Sequence, residues 1–189
     1  EQEFADSMHT QAKGDTLLCF PAAGVKGAMA TAALETAGVN KTSVNRLIFL
    51  PQTNINIWGK PYLKIDVVRS ADMNRTPDMR TRAYLPNWCA EVEIRFATPN
   101  FSARSISSLI QNAGQLIGLG DFRQEKGRGS FGTFSIAGEE LGEYQELWDE
   151  LMQEGREVQE LARDNPECAD QETAELMQFL QEERLRRAA

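Results

Sequence analysis

The chain has 189 residues, of which 41% are hydrophobic and 25% charged, an ordinary globular balance. No apolar run approaches the roughly 18 residues that a membrane helix requires, and residues 1–16 lack the basic-then-apolar pattern of an export signal. Three cysteines, Cys19, Cys89 and Cys168, lie far apart and in odd number; this excludes a disulfide framework and a zinc-ligand pattern, and predicts reduced thiols in a cytoplasmic protein.

The formal net charge of −8 is unevenly placed. Residues 1–136 carry 15 Lys and Arg against 12 Asp and Glu, whereas residues 137–189 carry 5 against 16. A mildly basic body joined to a strongly acidic end is compatible with a polyanion on one surface and a basic partner on another.

The first periodic segment is residues 22–37, where Val25, Met29, Ala32 and Ala33 share a helical stripe between Pro21 and Gly38. Three β-rich runs follow at residues 46–50, 54–58 and 62–68; in the last, Leu63, Ile65 and Val67 alternate with Lys64 and Asp66. Residues 69–87 lose all periodicity and hold Arg69, Arg75, Arg80 and Arg82 beside Pro77 and Pro86, which predicts a long basic loop. Alternation returns at residues 90–96 as a half-buried strand. Ser102 is placed to cap a helix whose apolar face runs through Ile106, Leu109, Ala113 and Ile117 to a stop at Gly118. A glycine-rich loop leads to a closing strand at residues 130–136.

This order predicts an α+β fold with a ferredoxin-like (RRM-like) core over residues 1–137, the basic loop being an insertion and the opening strand missing or upstream of residue 1. Beyond Gly138, Leu141, Tyr144, Leu147, Leu151, Val158 and Leu161 are spaced for a long amphipathic helix, weakened at Gly155 and ended by Asp164-Asn165-Pro166. Leu176, Met177, Leu180 and Leu185 supply a second. Residues 138–189 are thus expected to form an acidic helical hairpin, an appendage that docks onto another copy or subunit.

The single histidine, His9, sits in a polar stretch and reads as a surface residue, so no catalytic residue, metal ligand or cofactor site is assigned. The densest chemical signal is IGLGDFRQEKGRGSFGTF at residues 117–134, with glycines at 118, 120, 127, 129 and 132 and with Arg123, Lys126 and Arg128. Glycine lets a phosphate come close to main-chain amides, and the basic residues add charge. Gly127, Gly129 and Gly132 formally match a dinucleotide fingerprint, but the loop follows a helix and enters a strand, the reverse of the order that motif needs. Phe131 and Phe134 partly match the aromatic motif of RNA-recognition domains, although on a final strand they read as core.

The segments FPAAGVKGAM at residues 20–29 and GQLIGLGDFRQEKGRGSFGTFSI at residues 114–136 resemble the RAMP superfamily, in particular the backbone subunits of CRISPR effector complexes and their phage and prophage relatives. The resemblance spans residues 17–136. It implies a ferredoxin-like core, side-by-side assembly into an oligomer, and single-stranded nucleic acid, RNA more than DNA, held along it. Lys26 and Gly27, with Gly118, Gly120, Gly127, Gly129 and Gly132, are implied to lie near the strand's backbone. Some members cleave RNA with an aspartate ahead of the first helix; Asp6 and Asp15 lie there without a matching motif, so a non-catalytic subunit is expected. The contacts expected around one groove are Lys26, Gly27, Arg75, Arg80, Arg82, Gly118, Gly120, Arg123, Lys126, Gly127, Arg128 and Gly129. The alternative is a phage structural or assembly protein that keeps the fold without the groove.

Overall fold

The computed structural model describes residues 2–69, 77–126, 129–137 and 142–188. In chain order the elements are α1 (Gln2–Asp6), β1 (Cys19–Pro21), α2 (Ala22–Ala32), α3 (Lys41–Leu47), β2 (Ile48–Phe49), β3 (Asn54–Asn56), β4 (Tyr62–Arg69), β5 (Pro77–Tyr84), β6 (Arg95–Phe96), α4 (Ala103–Asn112), α5 (Gln145–Gln153), α6 (Arg156–Asp164) and α7 (Gln171–Ala188). Helix and sheet are mixed. Among the described residues the strands occur in pairs, β1 with β3, β2 with β6 and β4 with β5. The chain forms two compact units, the first from Glu1–Cys19, Asn56–Ala90 and Leu147–Ala189, the second from Phe20–Ile55 and Glu91–Glu146.

The first unit is built on the hairpin of β4 and β5, in which Tyr62 lies opposite Tyr84 and Arg69 opposite Pro77. Alternation in β4 puts Leu63 and Ile65 on one face, where they are buried with Phe4 of α1 while Met8, Ala83, Leu176, Met177 and Leu180 pack around them. The amide of Ala83 donates to Ser7 Oγ at 2.8 Å, tying the hairpin to the residue after α1. Residues 77–84, expected within a basic loop, are therefore strand, and Arg80 and Arg82 stand on it. Their periodicity is weak because the face that continues Leu63 and Ile65 carries only Thr81 and Ala83, with Met79 exposed, and the ladder with β4 supplies what the local sequence lacks.

Gln159 of α6 joins the three segments of this unit. Fully buried, it accepts from the amides of Leu17 and Leu18 at 2.8 and 2.9 Å through Oε1 and donates through Nε2 to the carbonyls of Ile57, Gly59 and Glu154 at 2.9–3.1 Å. Next to it, Arg156 donates to the carbonyls of Gly14, Gln11 and Thr16. Leu151 is buried with Trp58 and Cys89, and Trp148 and Met152 pack on them. The expected division at residue 138 into core and appendage is thus not the one the chain adopts, because the C-terminal helices supply interior groups to a unit that residues 1–19 and 56–90 share. The predicted long helix also breaks into α5 and α6 at Gly155, where a side chain would press on the carbonyl of Asp15.

Lys60, just before β4, and Lys64 within it pair with Glu167 and Asp170 in the segment that leads into α7, each at 2.8 Å. Asp170 also caps α7 by accepting from the Thr173 amide at 2.8 Å. The Lys64 ammonium, helped by the hydroxyl and amide of Thr173, lowers the Asp170 carboxyl from its ordinary 3.8 to about 2.

In the second unit α2 buries Val25, Ala28, Met29 and Ala32 and packs against α3 and α4. Of residues 46–50, read as a strand, Arg46 and Leu47 end α3 and only Ile48–Phe49 is strand. Asn40 caps that helix by accepting from the Ser43 amide at 2.8 Å, leaving Ile48–Phe49 to pair with Arg95–Phe96. Of the strand expected at residues 90–96 only this pair forms. α4 starts, as expected, at Ser102, whose side chain and that of Ser105 cap each other's backbone amides. A wider π turn, Ala113–Ile117, continues it to Gly118. The strand expected at residues 130–136 reduces to a bridge between Phe131 and Arg123.

Two outcomes test these assignments. Gln159→Leu leaves two amides and three carbonyls buried without their partner and should cost about 3 kcal/mol or more in denaturant unfolding, given about 1–3 kcal/mol for each such group. Because the Asp170 carboxyl is depressed in the folded protein, its contribution is complete above 3.8 and is lost as pH falls through about 2. Lys64→Ala should return the Asp170 titration, followed by NMR, toward its ordinary value and flatten that acid limb; the effect is small, since the pair is partly exposed.

Candidate nucleic-acid interface

Both family-like segments lie in the second unit, and they line one cleft of about 270 Å³. One wall is α2, with Gly24, Gly27 and Thr31; the other is the chain leaving the π turn, Ile117, Gly118, Leu119 and Gly120, with Arg123 and Glu125 at the lining as well. The second wall takes its shape from its own backbone. The amide of Leu119 donates to the carbonyl of Gly132 at 2.8 Å and that of Phe131 to the carbonyl of Phe122 at 3.3 Å, so two strands of the loop lie directly on each other.

That contact explains two of the glycines. A Cβ at Gly132, which has φ of 70°, would overlap the carbonyl of Leu119, and one at Gly129 would overlap the carbonyl of Phe122. The close approach at Gly129 was expected to be made by a phosphate. It is made by the loop itself. Gly27 is the opposite case: it sits inside a helix, where glycine is destabilising by about 1 kcal/mol relative to alanine, and a Cβ there would meet nothing within 4 Å. Neither packing nor conformation accounts for its bareness.

The charged residues are less available than the sequence suggested. Arg123 donates from Nε and Nη2 to Glu125 Oε2 at 3.0 and 2.7 Å and from Nη1 to the carbonyl of Gly120 at 2.9 Å, so its guanidinium pins the cleft wall with its charge shared. Lys26 donates to the carbonyl of Asn45 at 3.0 Å, in the last turn of α3, and its ammonium lies 5.7 Å from the centre of the Phe49 ring. This is a helix C-terminus contact of the kind a cation favours, and Lys26 is not part of the cleft lining. Arg80 and Arg82 belong to the first unit, where Arg80 pairs with Asp78 at 2.8 Å. Arg75, Gly127 and Arg128 lie outside the described residues; so does the side chain of Lys126, which ends a short 3₁₀ turn, Gln124–Lys126.

The structure therefore brings Gly27, Gly118, Gly120 and Arg123 together. It also shows Glu125, the partner of Arg123, and Phe122, an exposed ring beside the cleft, which sequence reasoning passed over. Phe122 interrupts a polar stretch with no period around it, so no pattern announces it. Among the described residues no group of three or more His, Cys, Asp and Glu side chains could hold a metal ion.

Gly132→Ala should cost at least about 2 kcal/mol in thermal or denaturant unfolding, since it combines a strained φ with a backbone overlap, and it should make residues 117–134 more susceptible to limited proteolysis. Compared with known proteins, the chain matches no family model, no curated protein and no solved structure.

Proposed function

We propose that the chain is a non-catalytic, cytoplasmic binding subunit that holds single-stranded nucleic acid, RNA in preference to DNA, by its sugar-phosphate backbone. One observation carries this reading: the two segments that resemble the RAMP superfamily, far apart in sequence, line the same cleft, and Gly27 and Gly120, where a Cβ would meet nothing within 4 Å, leave its walls open to close approach. Gly27 supports it most directly, because its lack of a side chain weakens the helix and is demanded by no neighbour. The finer fold that goes with this reading is the ferredoxin-like core of that superfamily, with α2 and α4 as its two packed helices and the strands of their unit reduced to pairs of two or three residues. Assembly is through the C-terminal helices, where Phe179 and Leu185 of α7 are exposed.

The pairing of Arg123 with Glu125 favours a second reading, in which the cleft is a packing surface of a phage structural or assembly protein, because a phosphate site would keep its cation unshared.

Anisotropy titrations of labelled single strands at several salt concentrations separate the two. Binding should be similar for polyuridine and mixed sequences, with a slope of log affinity against log salt of about −0.7 per phosphate contacted. Gly27→Leu should leave the melting temperature unchanged or higher and weaken binding by about tenfold or more, equivalent to about 1.4 kcal/mol. A stable Gly27→Leu protein that binds as well as the wild type removes the cleft as the site. Wild-type protein, stripped of carried-over nucleic acid, that shows no salt-dependent binding to any single strand leaves the structural reading.

A further inference from the structure

Phe122 is, among the described residues, the only non-glycine residue with positive φ, at 53°. Bulky side chains rarely adopt this left-handed backbone, and a residue held there points to a constraint other than local comfort. The loop needs the turn, since the Phe122 carbonyl accepts from the Phe131 amide at 3.3 Å and the Phe122 amide donates to Asp121 Oδ1 at 2.9 Å. Both bonds are main-chain at Phe122. Glycine would make them without strain, so the backbone does not require a phenyl ring here.

Nor does the core. The Phe122 side chain is 56% exposed, and its ring meets that of Phe131, itself 37% exposed, at 5.9 Å between centroids with a tilt of 46°. Phe122 lies in sequence between Gly120 and Arg123, both of which line the cleft, and Phe131 is held against this segment by its bridge with Arg123. An exposed aromatic face next to a bare backbone cleft is what a single strand meets when its phosphates are held and its bases are splayed outward.

We infer that Phe122, backed by Phe131, is a stacking platform for the nucleobases of the strand whose backbone lies in the Gly27–Gly120 cleft. The platform rests on the strand-binding reading above and adds the base to what the site recognises. Every base has a π face, so the platform takes any sequence while distinguishing a base-bearing strand from a bare sugar-phosphate chain.

The test compares a labelled mixed-sequence single strand with an abasic strand of equal length, using the full chain. Wild-type protein should bind the base-bearing strand more tightly. Phe122→Gly, which suits the observed φ and should keep or raise the melting temperature, should weaken binding of the base-bearing strand roughly tenfold and leave the abasic strand unaffected. Phe122→Trp should retain the preference for bases. Equal weakening of both strands by Phe122→Gly, or no weakening of either, overturns the platform, as does a wild-type protein that binds both strands equally; in this last case backbone binding stands alone. A wild-type protein that binds neither strand ends the strand-binding reading and the platform with it.

Discussion

A primary amide offers two donors and an acceptor oxygen with two lone pairs, and burying it is tolerable only when most of these are used. At Gln159 five main-chain groups from three separated stretches converge on one such amide: residues 17 and 18, residues 57 and 59, and residue 154. The architecture of the first unit depends on that convergence. It fixes where the chain passes residues 14–18 and 57–59, and it seats α6 so that Arg156 reaches the same turn. The break at Gly155 follows, because the carbonyl of Asp15 occupies the space a side chain would need while accepting from the Arg156 amide at 2.8 Å. Hydrophobic burial around Phe4, Leu63 and Ile65 supplies a large favourable term but no direction. The polar cluster supplies the direction.

The glycine loop of the second unit applies the same economy with main chain alone. Segments that touch backbone to backbone need no side chain between them, and Gly129 and Gly132 are the points of contact. The described parts of the loop present a wall of the cleft at residues 117–120 and the exposed ring of Phe122 next in sequence. Arg123 completes the closure by bridging the carbonyl of Gly120 and the carboxylate of Glu125.

Those elements whose determinants lie within a few residues were legible in the sequence. The Ser102 cap and the apolar face of α4, the stripe on α2, the alternation in β4 as far as Ile65, though not at the exposed Val67, and the break at Asn165-Pro166 are local signals found where they were expected. What was missed depends on distant partners. β5 is a strand because β4 is beside it, and α3, which starts at an Asn40 cap, takes in Arg46 and Leu47 at the head of the run read as strand. Gln159 and Arg156 carry no signal among the polar residues of an acidic segment, since nothing near them in sequence reveals the amides and carbonyls of residues 11–18. In the site, both glycine segments were visible as segments. Which glycines served the loop and which stood bare toward the cleft required the backbone of Leu119 and Phe122 to be in place.

The first unit also imposes an order on synthesis. Residues 1–19 and 56–90 leave the ribosome before 147–189, yet the Leu17 and Leu18 amides and the Leu63 and Ile65 side chains have their partners in the last of these stretches. All residues of the second unit have emerged once residue 146 is out, while Leu63, Ile65 and Phe4 of the first unit still lack the side chains of α7 that cover them. A nascent chain therefore carries an uncovered apolar cluster until residues 147–188 arrive, and a chain stopped before them would leave residues 1–19 without their partners.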